Sequence, residues 1–156
     1  HDFDMLLHLF GKAQSVFASG TVFGKNKAFP SAIKDFAVDT AHIDVEFENG
    51  HRAYLLYAWG FPQGQAYWQS REFMGPDGII RLRGEFGQEV HCYRSDGMRE
   101  IVHDLKENGH ETIIRKFVES VELNSKVPVQ PEEAIDALRI SLAALKSIES
   151  GKKELL

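Results

Sequence analysis

The sequence predicts an α+β fold: an open-faced, mostly antiparallel or mixed β-sheet with helices packed on one face. Three features lead to this prediction. A short helical pattern opens the chain, many short strand patterns separated by turn residues fill its middle, and two longer helical patterns close it. Strands that follow one another and are bracketed by helices are typical of α+β domains.

The opening helix is predicted from the spacing of its apolar residues. Phe3, Leu6, Leu7 and Phe10 recur at i, i+3, i+4 and i+7, which places them on one side of a helix. Gly11 follows at once and can end the helix in the left-handed conformation.

Seven strand candidates follow this helix, most of them bounded by Gly, Asn or Asp. They are Gln14–Phe23, Ala41–Phe47, His51–Trp59, Tyr67–Met74, Ile79–Arg83, Glu89–Arg94 and Arg99–Leu105.

The clearest hairpin is HIDVEFENGHRAYLLYAW, and its two faces indicate its register. A two-residue loop at Asn49-Gly50 would mix acidic and apolar side chains. A three-residue loop with Gly50 as a left-handed bulge residue instead gives one apolar face, made of Ile43, Val45, Phe47, Ala53, Leu55, Tyr57 and Trp59. Because a slip of one residue reverses every side chain, the sequence favours the three-residue loop. The opposite face carries charges but also Tyr54 and Leu56, so we expect a second subunit to cover it.

Two helices are predicted at the end of the chain, in HETIIRKFVESVEL and PEEAIDALRISLAALKSIESG. Pro131 suits the first position of the last helix, the two glutamates after it complement the positive end of the helix dipole, and Gly151 ends the helix. Its predicted core stripe consists of Ile135, Leu138, Leu142 and Leu145.

Composition excludes several classes of protein. The chain has 156 residues, which suits one domain, with 43% hydrophobic and 26% charged residues. Its net charge is -5 and no block of like charges occurs, so a nucleic-acid-binding surface is not expected. No apolar run approaches the ~20 residues that span a bilayer.

Cys92 is the only cysteine, which excludes an internal disulfide and is compatible with the cytoplasm. Because the chain does not begin with methionine, we expect a longer parent protein.

The segment HDFDMLLH allows three interpretations. On a helix, His1, Asp4 and His8 share the face opposite the apolar stripe, and such side chains are zinc or iron ligands. However, the two histidines lie two turns apart, about 10 Å along the axis, which is too far for one ion. The segment can instead be an ordinary polar helix face. Finally, a histidine at a helix start can take a hydroxyl proton while a carboxylate one turn later holds a neighbouring hydroxyl.

Four segments, in order, resemble the C-terminal domain of the glucose–fructose oxidoreductase / inositol dehydrogenase / MocA family. They are HDFDMLLHLFG, DVEFENGHRAYLL, REFMGPDGIIRL and FVESVELNSKVPVQPEEAIDALRISLAALKSIESGK. The chain departs from the family at Ile79, where a small or hydroxyl residue is more usual, and in the cluster of Trp59, Phe61 and Pro62.

The resemblance implies a two-domain oxidoreductase, of which residues 1–156 form the single C-terminal domain for substrate binding and oligomerisation. By this resemblance an N-terminal Rossmann domain binds NAD or NADP, and this chain itself has no G-x-G-x-x-G. By the same resemblance His1 is the catalytic acid/base and Asp4 contacts substrate hydroxyls. The family's active-site lysine lies upstream, so we expect the isolated chain to be inactive.

Three further residues are candidates for the substrate pocket. Tyr57 and Trp59, with the loop WGFPQGQAYW, can supply an aromatic wall for a sugar or cyclitol, although both can instead belong to the sheet core. His110, at the start of its helix, can reach the site or simply cap that helix. The predicted function is that of a dehydrogenase acting on a sugar, sugar derivative or cyclitol. The alternatives are a non-catalytic scaffold with the same fold and a His/Asp metal-binding protein.

Overall fold

The computed structural model describes residues 1–23, 37–59, 69–83, 89–103 and 109–156. In these ranges the elements are α1 (Asp2–Phe10), β1 (Ala13–Thr21), β2 (Thr40–Phe47), β3 (Arg52–Ala58), β4 (Arg71–Gly75), β5 (Gly78–Arg83), β6 (Glu89–Arg94), β7 (Arg99–His103), α2 (Gly109–Glu122), α3 (Pro131–Ser150) and β8 (Glu154–Leu155). The strands form two antiparallel sheets, in the orders β3-β2-β1-β8 and β4-β5-β6-β7. The predicted α+β class is confirmed.

The chain divides into two compact units, which are described separately. The first unit comprises His1–Gln63 and Val129–Leu156, and the second comprises Gly64–Pro128. The first contains α1, α3 and the sheet β3-β2-β1-β8, whereas the second contains α2 and the sheet β4-β5-β6-β7. None of the described helices is long and apolar enough to cross a membrane.

The core of the first unit lies between one face of its sheet and the helices α1 and α3. Its buried apolar members are Leu6, Val16, Ala18, Ile43, Val45, Phe47, Ile140 and Ala144. Val16 pairs with Val45 and Ala18 with Ile43, so alternate residues of β1 and β2 form the inner face. The helices therefore cover one face of this sheet and leave the other open.

The β2–β3 hairpin has the register that its sequence predicts. Val45 pairs with Ala53, the amide of Phe47 donates to the carbonyl of His51 at 2.9 Å, and three residues form the loop. Gly50 has φ 86°, a conformation that side chains rarely adopt, which explains the glycine. On the open face, Tyr54 and Leu56 are 65% and 73% exposed.

Helix α3 packs on the sheet through a different face from the predicted one. Ile135, Leu138, Leu142 and Leu145 are 49 to 56% exposed, so the predicted core stripe was wrong. The buried face is formed by Ile140, Ala144 and Ser147. The amide of Ala18 donates to Ser147 Oγ at 2.9 Å, and this hydroxyl donates to the Lys152 carbonyl at 2.5 Å. The bond from Ala18 requires a close approach of helix and sheet, which a small side chain such as Ser147 permits and a leucine at that position would prevent.

The sheet of the second unit is a meander of four strands. The aromatic ring of Tyr93 lies between two cations, because the guanidinium carbons of Arg81 and Arg99 are each 5.5 Å from its centroid. Arg81 also pairs with Glu72 at 3.1 Å. Glycine is required at Gly78, where φ is 147° and an added Cβ would lie 2.1 Å from the carbonyl oxygen of Tyr93.

Candidate active site

His1 occupies the exposed N-terminal end of α1. It is the residue just before the helix, and its carbonyl accepts the first helical hydrogen bond, from the amide of Met5 at 3.0 Å. Within the described part of the chain, which includes all of α1, the side chain of His1 makes no capping hydrogen bond to the helix. The helix therefore fixes the backbone of His1 and leaves the imidazole accessible.

Asp4 lies one turn after His1 and is also exposed. Residues three apart on a helix have Cβ atoms about 5–6 Å from one another, so the imidazole and the carboxylate can reach the same small molecule. An imidazole can exchange a proton with one hydroxyl while the carboxylate accepts a hydrogen bond from the next. The structure thus places His1 and Asp4 one turn apart at the exposed start of α1, and their chemical roles stay a prediction.

His8, the third member of the predicted polar face, is exposed near the other end of α1. Among the described residues, no three His, Cys, Asp or Glu side chains are grouped closely enough to hold a metal ion.

Tyr57 connects this end of α1 to the sheet. It lies on the inner face of β3, opposite Ala41 of β2, and packs against the core. Its hydroxyl donates to Oδ2 of Asp2 at 2.8 Å. Sequence reasoning did not single out Asp2; the available signal was an acid in the first turn of a helix and a tyrosine on an otherwise apolar strand face.

The other end of α1 is attached to the β2–β3 hairpin. The side-chain amide of Asn49 donates to the carbonyl of Phe10 at 2.8 Å, and the ring of Phe10 contacts that of Phe47 edge-on, with centroids 5.4 Å apart. Gly11 ends the helix with φ 77° and ψ -148°. This is a glycine conformation but not the predicted left-handed helical one, because the chain turns directly into β1.

Two further predicted pocket residues lie in different units. Trp59 follows β3 in the first unit, where its ring is 80% exposed and its amide donates to the carbonyl of Asp39 at 2.7 Å. The rest of the predicted aromatic loop, residues 60–68, lies outside the described residues. His110 is exposed in the first turn of α2, in the second unit, and its part in the site stays a prediction.

Comparisons with known proteins point to one family. Residues 1–155 match a family model of the Gfo/Idh/MocA type. Its description is "Oxidoreductase family, C-terminal alpha/beta domain". The chain is 27% identical to the oxidoreductase YrbE of Bacillus subtilis, over 97% of this chain and 44% of that protein.

Solved structures share the fold. An oxidoreductase from Thermotoga maritima is 24% identical with a TM-score of 0.77, and the match covers 100% of this chain and 45% of that one. The WlbA dehydrogenase from Bordetella pertussis, in complex with NADH and UDP-GlcNAcA, is 17% identical with a TM-score of 0.74, over 100% of this chain and 44% of that one. The chain thus spans less than half the length of these proteins. It belongs to the Gfo/Idh/MocA oxidoreductase family and corresponds to that family's C-terminal α/β domain.

Proposed function

We propose that this chain is the substrate-binding and oligomerisation domain of a NAD(P)-dependent dehydrogenase that acts on a carbinol of a sugar, sugar derivative or cyclitol. The observation that carries the proposal is the exposed His1 at the start of α1, followed one turn later by the exposed Asp4. Family membership supports the oxidoreductase class. The complex of WlbA with NADH and UDP-GlcNAcA supports a nicotinamide and a sugar-derived substrate.

In this proposal His1 handles the proton of the oxidised hydroxyl. As the carbinol C–H bond breaks, the O–H bond also breaks, a C=O bond forms, and the imidazole takes the proton. Asp4 accepts a hydrogen bond from a neighbouring hydroxyl and so orients the carbinol towards His1. In the reverse direction the imidazolium returns the proton to the oxygen.

The cofactor is expected to lie mainly on another domain. The paired strands of the described residues are antiparallel, and a parallel strand–helix–strand unit for a dinucleotide is not found among them. We therefore propose that a Rossmann domain elsewhere in the parent protein binds NAD or NADP, which when bound supplies the hydride acceptor. The residues of this chain contribute the proton acceptor and the substrate contacts, and the isolated chain is inactive.

The remaining pocket candidates have secondary roles in the proposal. The exposed ring of Trp59 provides an apolar wall for one face of the substrate. Tyr57 can offer only part of its ring, because it is half-buried against the core. We place the enzyme in the cytoplasm.

We further propose that the open face of the first sheet forms a homo-oligomer, either a dimer or a tetramer. Leu56 lies two residues after Tyr54 in β3, and Leu155 lies in β8 at the opposite edge of the sheet; the two leucines are 73% and 81% exposed on this face. In sedimentation experiments on the full-length protein, Leu56→Asp should dissociate the oligomer, because it buries a charge in the interface. Leu123→Asp is the control, since Leu123 is 75% exposed at the end of α2. A monomeric wild-type protein would contradict the proposal.

The function is tested with the full-length parent protein. NAD and NADP are titrated separately, and a set of sugars, sugar acids and cyclitols is then screened for reduction of the nucleotide that binds. We expect binding of at least one nucleotide and turnover of at least one polyol. Nucleotide binding without turnover across the screen would favour the scaffold alternative, and stoichiometric metal in elemental analysis would favour the metal-binding one.

A further inference from the structure

One hydrogen bond joins the start of the His1-bearing helix to a strand of the first sheet. The hydroxyl of Tyr57 donates to Oδ2 of Asp2 at 2.8 Å, although 55 residues separate the two in sequence. Both side chains are half-buried. A hydrogen bond to a carboxylate that is partly shielded from water is stronger than one between neutral groups on the surface.

We propose that Tyr57 is a positioning residue, which holds the first turn of α1 through Asp2 and thereby orients His1 for proton transfer. This inference rests on the role proposed above for His1. It assigns to the tyrosine a function other than the substrate wall that its sequence suggests.

The need for such a bond follows from the length of the helix. Helix α1 has nine residues, and helices this short are marginal without tertiary support. Its first amides have no partners within the helix, and the side chain of His1 does not cap them. Phe3 and Leu6 pack this part of the helix against the core, and the bond from Tyr57 adds a polar attachment at its first residue.

Each end of α1 has its own attachment. At the C-terminal end, Asn49 holds the carbonyl of Phe10 at 2.8 Å. At the N-terminal end, the bond between Tyr57 and Asp2 is the corresponding attachment. The second bond matters more for chemistry, because Asp2 adjoins His1 in the chain and the backbone of His1 moves with it.

Loss of this bond should affect the rate more than substrate binding. A general base has to lie within about 2.6–3.2 Å of the proton that it takes. A displacement of about 1 Å can cost on the order of 100-fold in rate. By contrast, Asp4 and Trp59 would still contact the substrate, so the KM should change little.

The test uses the full-length dehydrogenase with its nucleotide and the best substrate from the screen. Tyr57→Phe and Asp2→Ala should each lower kcat about tenfold and change KM less than about twofold. Asp2→Asn keeps an acceptor oxygen for the tyrosine and should retain most of kcat. Tyr93→Phe, which removes a phenol hydroxyl from β6 in the second unit, is the control and should behave as the wild type.

A second comparison separates positioning from general stabilisation. In a His1→Ala background, Tyr57→Phe should change the remaining turnover less than about twofold, because a residue that acts through His1 has nothing left to orient. An equal tenfold loss in both backgrounds would overturn the inference, as would a raised KM with unchanged kcat. Where the turnover of His1→Ala is too low to measure, the effects of Tyr57→Phe on kcat and on KM in the wild-type background decide whether Tyr57 is a positioning residue.

The two proposals fail in different ways. If His1→Ala retains wild-type turnover, the proposed function of the site is wrong. If His1→Ala loses turnover but Tyr57→Phe does not, the function stands and only the positioning role is wrong.

Discussion

The two sheets of this chain have the same number of strands but differ greatly in how far their apolar side chains are buried. In the first sheet, one face is buried against α1 and α3, and all eight buried apolar residues of the described core belong to that unit. In the second sheet, no apolar side chain in the described ranges is fully buried; Ile80 and Val102 remain 41% and 45% exposed.

This difference indicates where precise geometry can be maintained. A close-packed core holds side chains in single rotamers, whereas half-exposed side chains keep more freedom. His1 and Asp4 project from a helix attached to the packed sheet. The backbone that carries His1 and Asp4 therefore belongs to the more closely packed of the two units, although their own side chains are exposed. The predictions below test the contrast between the two sheets, beginning with the largest expected effect.

Phe47→Ala should destabilise the first sheet by about 3–5 kcal/mol, because it opens a cavity at a side chain that is only 1% exposed. The matched variant is Phe73→Ala in β4, which removes the same group from a half-buried position and should cost less. Hydrogen exchange of the strand amides measures each sheet separately. Equal losses in the two sheets would contradict the difference in packing.

Gly78→Ala should be the most damaging small substitution in the second sheet. It combines a φ of 147° with a Cβ 2.1 Å from the Tyr93 carbonyl oxygen, and we expect a loss of about 2–4 kcal/mol. Gly75→Ala is the control, since an added Cβ there has nothing within 4 Å. Amide exchange in β5 and β6 reports the effect, and similar protection in the two variants would refute it.

Ser147→Ala should destabilise the contact between α3 and β1 by about 1–3 kcal/mol. It leaves the buried amide of Ala18 without its 2.9 Å partner. Ser141→Ala should have little effect, because the Ser141 hydroxyl only donates to Ala137 within the same helix. The difference between the two is measured by denaturant unfolding. If Ser141→Ala is as costly, the buried hydrogen bond does not fix the helix face.

The smallest effect concerns pH. A hydrogen bond from Lys153, with a further one from Ser15 and the charge of Arg52, lowers the pKa of Glu46 below its ordinary value of 4.5. Because the folded-state pKa is lowered, the stabilisation is present above pH 4.5 and is lost as the pH falls through the folded-state pKa.

Glu46→Gln should therefore show a shallower loss of thermal stability between about pH 5 and pH 3 than the wild type. Glu48→Gln, in the exposed hairpin loop, is the control and should follow the wild-type profile. An unchanged acid dependence in Glu46→Gln would show that the network with Lys153 does not contribute to stability.

Local patterns predicted most of the elements and the hairpin register. The period of two in β2 and β3 allowed one apolar face, and the structure adopts it. The face of α3 was not predictable in this way, because the predicted stripe and the buried stripe of Ile140, Ala144 and Ser147 both follow the helical period. Ser147 decides between them, and its partner Ala18 is 129 residues away in sequence. Strand β8 was missed because two residues are too few to show alternation.

The sequence also predicted part of the candidate site, the residues within one helix, but not the contact between helix and sheet. The spacing of His1 and Asp4 within one helix placed them on a common face, since this depends only on helical geometry. The bond between Tyr57 and Asp2 depends on how α1 lies against β3, which no local pattern reveals. Sequence therefore proposes which residues carry the chemistry, whereas the structure adds the hydrogen bond from Tyr57 to Asp2, the neighbour of His1.

The most direct test of the proposed role of His1 is to compare His1→Ala with His8→Ala in the full-length protein. Both variants remove an exposed imidazole, one just before α1 and one in its last turn, but only His1 lies at the proposed site. We predict that His1→Ala lowers kcat/KM about 10²- to 10⁴-fold at neutral pH, with unchanged nucleotide affinity, while His8→Ala resembles the wild type. Wild-type turnover in His1→Ala, or equal losses in both variants, would contradict the assignment of His1 as the acid/base.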